Sequence, residues 1–302
     1  MPDPTLAELL SPATLARIEN YALLAKVAVE GFISGMHRSL YHGFGTEFFQ
    51  YRSYAPGDDL KYVDWKVFAR RNRFYSKVYQ EETNMNCCIL MDASASMDYE
   101  GKRASCTKWR YASMVAACIA YLATRQGDNV GLYAFNHELL SAVPPGFRTG
   151  GLRRVLSELQ RLRPGGQAEP GKVIGPLAEK LQRRGIVIII SDLLNVDEDL
   201  SWILKRFTFS RHECVVFHVL DPDELDFPFT GTMRFVDSES LDEIVTAPQL
   251  AKDYYQESMD TLIKNARRSC LEQQVDYEQV KTSDNLGNML AAYLHRRESL
   301  TL

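Results

Sequence analysis

The sequence lacks any apolar run long enough to cross a membrane. Its longest strongly apolar stretch, residues 186–190, has the length of one β-strand, whereas a membrane-spanning helix needs about 20 such residues. The N-terminal segment Met1-Pro2-Asp3-Pro4 is not a basic segment followed by an apolar one, so we expect no secretory signal. These absences predict a protein without a transmembrane segment.

Paired-cysteine motifs are also missing. The six cysteines include no Cys-x-x-Cys spacing, which argues against a zinc site. Cys87 and Cys88 are adjacent in an apolar stretch, and neighbouring residues of a strand point to opposite faces of the sheet, so these two are unsuited to a disulfide. We therefore expect reduced thiols in the core of a cytoplasmic protein.

The chain has no excess of basic residues, and this argues against a nucleic-acid partner. Its formal net charge is −4, whereas proteins that bind nucleic acids or anionic membranes usually present a basic surface. Basic and aromatic residues are interleaved over residues 65–77, but acidic residues surround them. Internal ion pairing or docking of another protein is the favoured interpretation of that stretch, and we expect no nucleic acid to bind.

Apolar periodicity predicts an α/β fold over residues 84–302. The predicted elements are strands at 87–91, 130–135, 186–190 and 214–220 and helices at 108–125, 152–162, 172–184, 200–209, 250–274 and 286–297. Continuously apolar strands that alternate with helices form a mostly parallel sheet covered on both faces. We therefore predict a doubly wound, mostly parallel sheet, with residues 139–143 as its antiparallel edge.

The first 83 residues have a different pattern. Residues 5–30 predict one or two amphipathic helices that end at Gly31-Phe-Ile-Ser-Gly35. The stretch that follows is rich in aromatic residues, glycine and charge, and predicts short strands at 47–54 and 73–81. The predicted organisation is a helical segment at 1–35, a small β-rich subdomain at 36–83 and the α/β domain at 84–302.

Three aspartates follow apolar strands of the predicted sheet: Asp92, Asp192 and Asp221. Ligands of open α/β sheets bind outside the carboxyl ends of the strands, and carboxylate and hydroxyl oxygens suit magnesium or manganese. The alternative is that Asp92 and Ser94 only cap the helix that follows and that Asp192 caps another. The spacing of Asp92-Ala-Ser94-Ala-Ser96, together with Asp192, favours a metal site made by Asp92, Ser94, Ser96 and Asp192.

The segment Asp92-Ala-Ser94-Ala-Ser96-Met97 after an apolar strand resembles the metal-ion-dependent adhesion site of von Willebrand factor A domains. In that family an aspartate, two serines, a threonine from another loop and an aspartate after a later strand surround the ion. A carboxylate of the partner commonly completes the shell. The resemblance implies a von Willebrand factor A-like domain that binds proteins with the help of Mg²⁺ or Mn²⁺ at Asp92, Ser94, Ser96 and Asp192. It implies a non-enzymatic protein with no catalytic residues.

A set of longer motifs carries a narrower resemblance. These are Gly35-Met-His-Arg-Ser39, Gly43-Phe-Gly-Thr-Glu-Phe48, Tyr51-Arg-Ser-Tyr-Ala-Pro-Gly-Asp-Asp59, Asp64-Trp-Lys-Val-Phe-Ala-Arg70, Gly127-Asp-Asn-Val-Gly-Leu-Tyr-Ala-Phe135 and Leu220-Asp-Pro-Asp-Glu224. The chain resembles a bacterial family of unknown function, domain-of-unknown-function family fifty-eight, whose genes tend to lie beside MoxR-type AAA+ ATPases. That resemblance implies a MoxR-type ATPase as a protein partner, in the assembly or maturation of another protein.

One departure from the family concerns the threonine that the metal site takes from another loop. In this chain that loop contains residues 165–168. Family members typically carry Gly-Gly-x-Thr, whereas this chain has Gly165-Gly-Gln-Ala168. Water, or Glu169, would replace the missing hydroxyl, so we expect weaker metal binding. Two other functions stay open: a magnesium-dependent hydrolase that uses Asp92 and Asp192, for which the sequence offers no convincing base or nucleophile, and a metal-free scaffold with a degenerate site.

Overall fold

The computed structural model describes residues 10–36, 50–53, 75–78, 85–146, 148–181, 183–194, 200–240 and 242–299. The chain forms two compact units, one made of residues 1–35 and 84–302 and the other of residues 36–83. The N-terminal helical segment therefore belongs to the same unit as the α/β domain. No described helix has the length and apolarity needed to cross a lipid bilayer.

The unit at 36–83 contains an antiparallel strand pair. Strand β1 (Gln50–Ser53) pairs with β2 (Tyr75–Val78), and Gln50 lies opposite Val78. Both strands lie inside the ranges predicted from the sequence, 47–54 and 73–81. Most of the basic and aromatic stretch at 65–77 lies outside the described residues.

The larger unit is built on a six-stranded sheet. Its strands are β3 (Asn86–Asp92), β4 (Asn129–Phe135), β5 (Leu139–Gly146), β6 (Gly185–Ser191), β7 (Glu213–Leu220) and β10 (Asp276–Lys281). A separate antiparallel pair is formed by β8 (Met233–Val236) and β9 (Glu243–Thr246).

The helices of this unit connect the strands. They are α1 (Pro12–Leu15), α2 (Tyr21–Met36), α3 (Lys108–Arg125), α4 (Arg148–Arg161), α5 (Pro170–Lys180), α6 (Leu200–Phe209), α7 (Pro222–Asp226), α8 (Pro248–Glu272) and α9 (Leu286–Ser299). A single 3₁₀ turn, Ala95–Asp98, follows β3.

The order of the strands creates a switch point in the middle of the sheet. The order is β10-β7-β6-β3-β4-β5, and only β5 runs antiparallel to its neighbour. Counted along the chain from the β5 edge, this is the doubly wound order 3-2-1-4-5-6. The chain leaves β3 towards one edge and returns to β6 on its other side, so a crevice opens between the carboxyl ends of these two strands. The predicted α/β fold with a mostly parallel sheet and an antiparallel edge is confirmed.

Helices cover both faces of the sheet. Cys88 and Leu90 of β3 point into a buried cluster that includes side chains of α5, α6 and α8, such as Phe207 and Cys270. The intervening residues of β3 point to the opposite face, where α3 packs against four strands and α4 packs beside it. All six cysteines are described, buried and outside any disulfide. The strands are therefore apolar on both faces because both faces are core.

The predicted end of the N-terminal helix at Gly31 is wrong, because α2 continues to Met36. A glycine within a helix costs about 1 kcal/mol relative to alanine. The helix buries a stripe that includes Leu24, Ala28 and Phe32, and burial of one large apolar side chain stabilises by about 1.5–3 kcal/mol. Packing beyond the glycine therefore outweighs its low helix propensity.

Candidate metal centre at the strand ends

The predicted site residues lie at the switch point of the sheet. Asp92 is the last residue of β3, and Asp192 comes directly after β6, the strand beside it. Both carboxylates are buried, with 1% of each residue exposed, and Ser94 is fully buried. The position is the one where open α/β sheets bind ligands.

The Asp92 carboxylate is held by hydrogen bonds on both oxygens. Oδ1 accepts from the backbone N–H of Ser94 at 2.9 Å, and Oδ2 accepts from the hydroxyl of Ser191 at 2.6 Å. Ser191 is in turn fixed by the N–H of Leu193, which donates to its Oγ at 2.9 Å. The carboxylate therefore has a defined orientation at the end of the strand.

The two serines connect Asp92 to Asp192. Ser94 and Ser96 are hydrogen-bonded through their hydroxyls, with Oγ atoms 3.0 Å apart, and the Ser96 side chain lies near enough to Asp192 to help lower the pKa of that carboxyl. Ser94 does not cap the 3₁₀ turn with its side chain. The structure thus brings all four predicted residues into one buried network, and Ser94 is free of the capping role that was the alternative.

The loop that carries Ala168 lies directly against this network. Gly165 donates its N–H to the carbonyl of Ala93 at 2.8 Å, and the N–H of Ala95 donates to the carbonyl of Gly166 at 2.8 Å. Gly166 has φ +76°, a conformation that side chains rarely adopt. The loop that carries Ala168 is therefore held against the segment after β3 by two backbone hydrogen bonds.

A lysine that the sequence did not single out enters the site. Lys108, the first residue of α3, is fully buried and its Nζ lies 2.8 Å from Oδ2 of Asp192 and 2.6 Å from Oε1 of Glu224. Its partners are 84 and 116 positions away along the chain. Proximity of this kind depends on the fold, so no local pattern in the sequence signals it.

Burial and neighbouring charges shift the pKa values of Asp92 and Asp192 in opposite directions. Burial, together with the charge of Asp192, raises the pKa of Asp92 to about 6. Burial also acts to raise the pKa of Asp192, but the ammonium of Lys108 and the hydrogen bond from Ser96 outweigh it and hold that pKa below its usual value. Among the residues that the structure describes, no cation therefore compensates the charge of Asp92.

His218 supports Asp192 from β7. Its Nε2 lies 2.8 Å from the backbone carbonyl of Asp192 and its Nδ1 lies 2.7 Å from the hydroxyl of Tyr277. A carbonyl only accepts, so Nε2 carries the proton and Nδ1 accepts from Tyr277. Burial lowers the pKa of His218 to about 4. This neutral imidazole positions the backbone of Asp192 and has both nitrogens occupied.

Asp221, the third aspartate at a strand end, has a structural role. Its Oδ1 accepts from the N–H of Asp223 at 2.8 Å and it forms a capping box with Glu224 at the start of α7. Its Oδ2 accepts from the N–H of Gly101 at 2.9 Å. Asp221 therefore caps the N-terminus of α7.

Glu239, in the turn between β8 and β9, was not found from the sequence. Its Oε2 accepts from the N–H of Ala168 at 3.4 Å. Burial raises the pKa of Glu239 to about 7, and the charges of Asp192 and Asp92 add to the effect. An acidic side chain therefore lies beside the loop that carries Ala168, and it belongs to a hairpin that the sequence pattern did not predict.

The donor set fits a hard divalent cation in part. The Asp92 carboxylate and the hydroxyls of Ser94 and Ser96 are oxygen ligands of the kind that Mg²⁺ and Mn²⁺ prefer. Asp192 already has an ammonium partner. Among the described residues, no three His, Cys, Asp or Glu side chains gather into a possible metal cluster. A cation here would therefore depend on hydroxyl groups and water for most of its shell.

Comparison with known proteins identifies the family. Residues 50–266 match the family described as "Protein of unknown function DUF58". The chain belongs to this family. Uncharacterized proteins of Mycobacterium tuberculosis and Mycobacterium bovis are 29% identical over 251 residues, which cover 80% of this chain and 77% of each relative. The expected membership of the DUF58 family is therefore confirmed.

Solved structures with a similar arrangement are more distant. BatB from Bacteroides thetaiotaomicron has 15% identity and a TM-score of 0.47, with 71% of this chain and 99% of that chain covered. The SpRpn10 VWA domain has 15% identity and a TM-score of 0.42, with 69% and 94% covered. At these values the fold assignment of this DUF58 protein rests on its own sheet order and helix layers.

Proposed function

We propose that this DUF58 protein is a protein-interaction module whose contact with a partner is assisted by a divalent metal ion held at Asp92, Ser94, Ser96 and Asp192. The observation that carries the proposal is the buried cluster in which Asp92 accepts from the N–H of Ser94, the hydroxyls of Ser94 and Ser96 are hydrogen-bonded, and Asp192 lies beside Ser96. The ion would be Mg²⁺ or Mn²⁺, because the available ligands are oxygens.

The electrostatics of the site favour a cation beside Asp92. Burial and the neighbouring Asp192 raise the pKa of Asp92 to about 6, which means that its charge is poorly compensated. Glu239 adds a second acidic group nearby. A divalent ion would offset this excess of negative charge and leave coordination positions for a carboxylate of the partner.

The partner that we propose is a MoxR-type AAA+ ATPase, and the process is the assembly or maturation of another protein. This part of the proposal is supported by membership of the DUF58 family and by the tendency of genes of this family to lie beside MoxR-type ATPases. We propose a cytoplasmic location for the complex, in keeping with the buried thiols.

Recovery of the ATPase on immobilised protein, with and without magnesium, tests the proposal. The comparison is between wild type, Asp92→Ala and Asp98→Ala. Asp98 is an exposed aspartate six positions later in the same segment, so Asp98→Ala is the matched control. We expect magnesium-dependent recovery with wild type and Asp98→Ala and loss with Asp92→Ala. Equal recovery in every condition would remove the metal loop as the binding determinant.

A metal-free scaffold is the second candidate, and Lys108 is the observation that favours it. The ammonium already supplies a positive charge to Asp192 at 2.8 Å. A hydrolase gains less support, because the imidazole of His218 is engaged on both nitrogens by Asp192 and Tyr277. Phosphatase turnover that disappears in Asp92→Ala would favour the hydrolase over the metal-free scaffold.

A further inference from the structure

Lys108 is a cation in a place where a cation is unfavourable. It is the first residue of α3 and is completely buried. Lysine is rarely buried in full unless it is paired, and the positive end of the helix dipole repels a cation at this position. The energy that holds Lys108 here must therefore come from its carboxylate partners.

Two carboxylates supply that energy. Nζ of Lys108 contacts Asp192 at 2.8 Å and Glu224 at 2.6 Å, and the two side chains are only 2% and 12% exposed. Burial alone acts to lower the pKa of Lys108, but the charges of Asp192 and Glu224 outweigh it and raise that pKa above its usual value. The lysine is therefore a permanent positive charge inside the site.

The ammonium of Lys108 contacts a carboxylate of the proposed metal site, that of Asp192. Asp192 lies beside Ser96, whose hydroxyl is hydrogen-bonded to that of Ser94 in the Asp92 loop. An oxygen that accepts a charged hydrogen bond is a poorer ligand for a metal, and an ammonium repels a divalent ion. The ammonium of Lys108 and an ion at Asp92 would therefore compete for the carboxylate of Asp192.

We propose that Lys108 competes with the divalent ion for Asp192 and thereby limits the affinity of the Asp92 loop for magnesium. The inference rests on the proposed function of that loop. Glu224 gives the ammonium a second partner when Asp192 turns to the ion. Glu224 is itself fixed, because its Oε2 accepts from the N–H of Asp221 at 2.8 Å.

Calorimetric titration of magnesium chloride into wild type, Lys108→Met and Lys102→Met tests the proposal. Lys102 is exposed in the loop before α3, so its substitution removes the same charge from a place where water screens it. Lys108→Gln is a second neutral variant, which keeps N–H donors for the carboxylates if the methionine variant does not fold. Circular dichroism checks the fold of each protein.

We expect the neutral variants of Lys108 to bind magnesium at least about tenfold more tightly than wild type, with Lys102→Met unchanged. Tight binding by Lys108→Met or Lys108→Gln without detectable binding by wild type would support the role of Lys108 and contradict metal use by the natural protein. Binding by wild type with equal or weaker binding by the folded Lys108 variants would overturn the inference and leave the proposed function standing. No binding by any of these proteins would contradict both.

Discussion

At the scale of single residues, the site is defined by an imbalance between two aspartates. Asp192 has an ammonium, a serine hydroxyl and a backbone N–H as partners, the last from Leu194 at 3.3 Å. Asp92 is as deeply buried, but the described part of the chain gives it hydroxyl and backbone donors and no cation. Burial of a charge without an opposite charge is unfavourable. The folded protein therefore carries an electrostatic cost at Asp92 that a bound cation would offset.

The variant Asp92→Asn measures that cost. Because burial raises the pKa of Asp92 from 3.8 to about 6, the ionised form destabilises the folded state at neutral pH, and a tenfold change in proton affinity corresponds to about 1.4 kcal/mol. We expect Asp92→Asn to increase the free energy of unfolding by about 1–3 kcal/mol at about pH 7.5 without metal. Urea denaturation is the measurement, with Asp98→Asn as an exposed control. A less stable Asp92→Asn protein would contradict this explanation of the site.

The same pair of proteins makes a prediction about pH. A carboxyl whose pKa is raised in the folded state binds more protons folded than unfolded between the two pKa values, so its contribution to stability is present below about pH 4 and is lost as the pH rises through about 6. Asp92→Asn lacks this contribution at every pH. The stability advantage of the variant is therefore expected to grow from about pH 4 to about pH 6 and to level off above. Denaturation curves across this range of pH would contradict it if the difference stayed constant.

At the scale of elements, the site depends on how two loops meet. The segment after β3 and the loop between α4 and α5 exchange backbone hydrogen bonds at Ala93–Gly165 and Ala95–Gly166. The amide of Asn136 ties the second loop to the end of β4 by donating to the carbonyl of Gly165 at 2.6 Å. The conformation of Gly166 is part of this junction, because it directs the carbonyl towards the metal loop.

Substitution of Gly166 by alanine tests the junction. Residue 166 has φ +76°, and a Cβ there would lie 2.9 Å from Nδ2 of Asn136. We expect Gly166→Ala to lower the free energy of unfolding by about 1–3 kcal/mol and to weaken magnesium binding. Gly165→Ala is the matched control, because a Cβ at 165 meets no atom within 4 Å. Equal effects of the two substitutions on stability would show that the conformation of Gly166 is not required.

The sequence predicted the central elements well for a physical reason. Strands β3, β6 and β7 are buried on both faces, so their apolar runs are continuous and easy to recognise. The β8–β9 pair and edge strand β10 were missed because they are exposed or half-buried and carry charged residues. The end of α2 was misplaced because local propensity at Gly31 was outweighed by tertiary packing.

Some residues of the site could be predicted from the sequence and others could not. Asp92, Ser94 and Ser96 lie in one short segment at a strand end, and Asp192 follows the next buried strand of the sheet, so spacing and chain direction were enough to find them. Lys108 and Glu239 come to the site from a helix start and a hairpin turn. Their roles depend on the packing of elements that are far apart in the sequence, and this information is absent from any local pattern.

At the scale of the whole molecule, the doubly wound sheet gathers the functional groups from distant parts of the chain. The ends of β3 and β6 supply the two aspartates, and α3 and α7 supply Lys108 and Glu224. The loop before α5 closes one side of the site. Helices on both faces keep the strand ends in fixed positions. The fold thus gathers a small, buried polar site at the switch point of the sheet.

The most direct test of the metal centre is anomalous diffraction from a crystal of the protein soaked in manganese chloride. We expect a peak within about 2.5 Å of an Asp92 carboxylate oxygen and of the Ser94 and Ser96 hydroxyls, and no such peak in a crystal of Asp92→Asn. An anomalous map without a peak at the Asp92 loop, or with the ion bound only elsewhere, would contradict the claim that this loop holds a divalent metal.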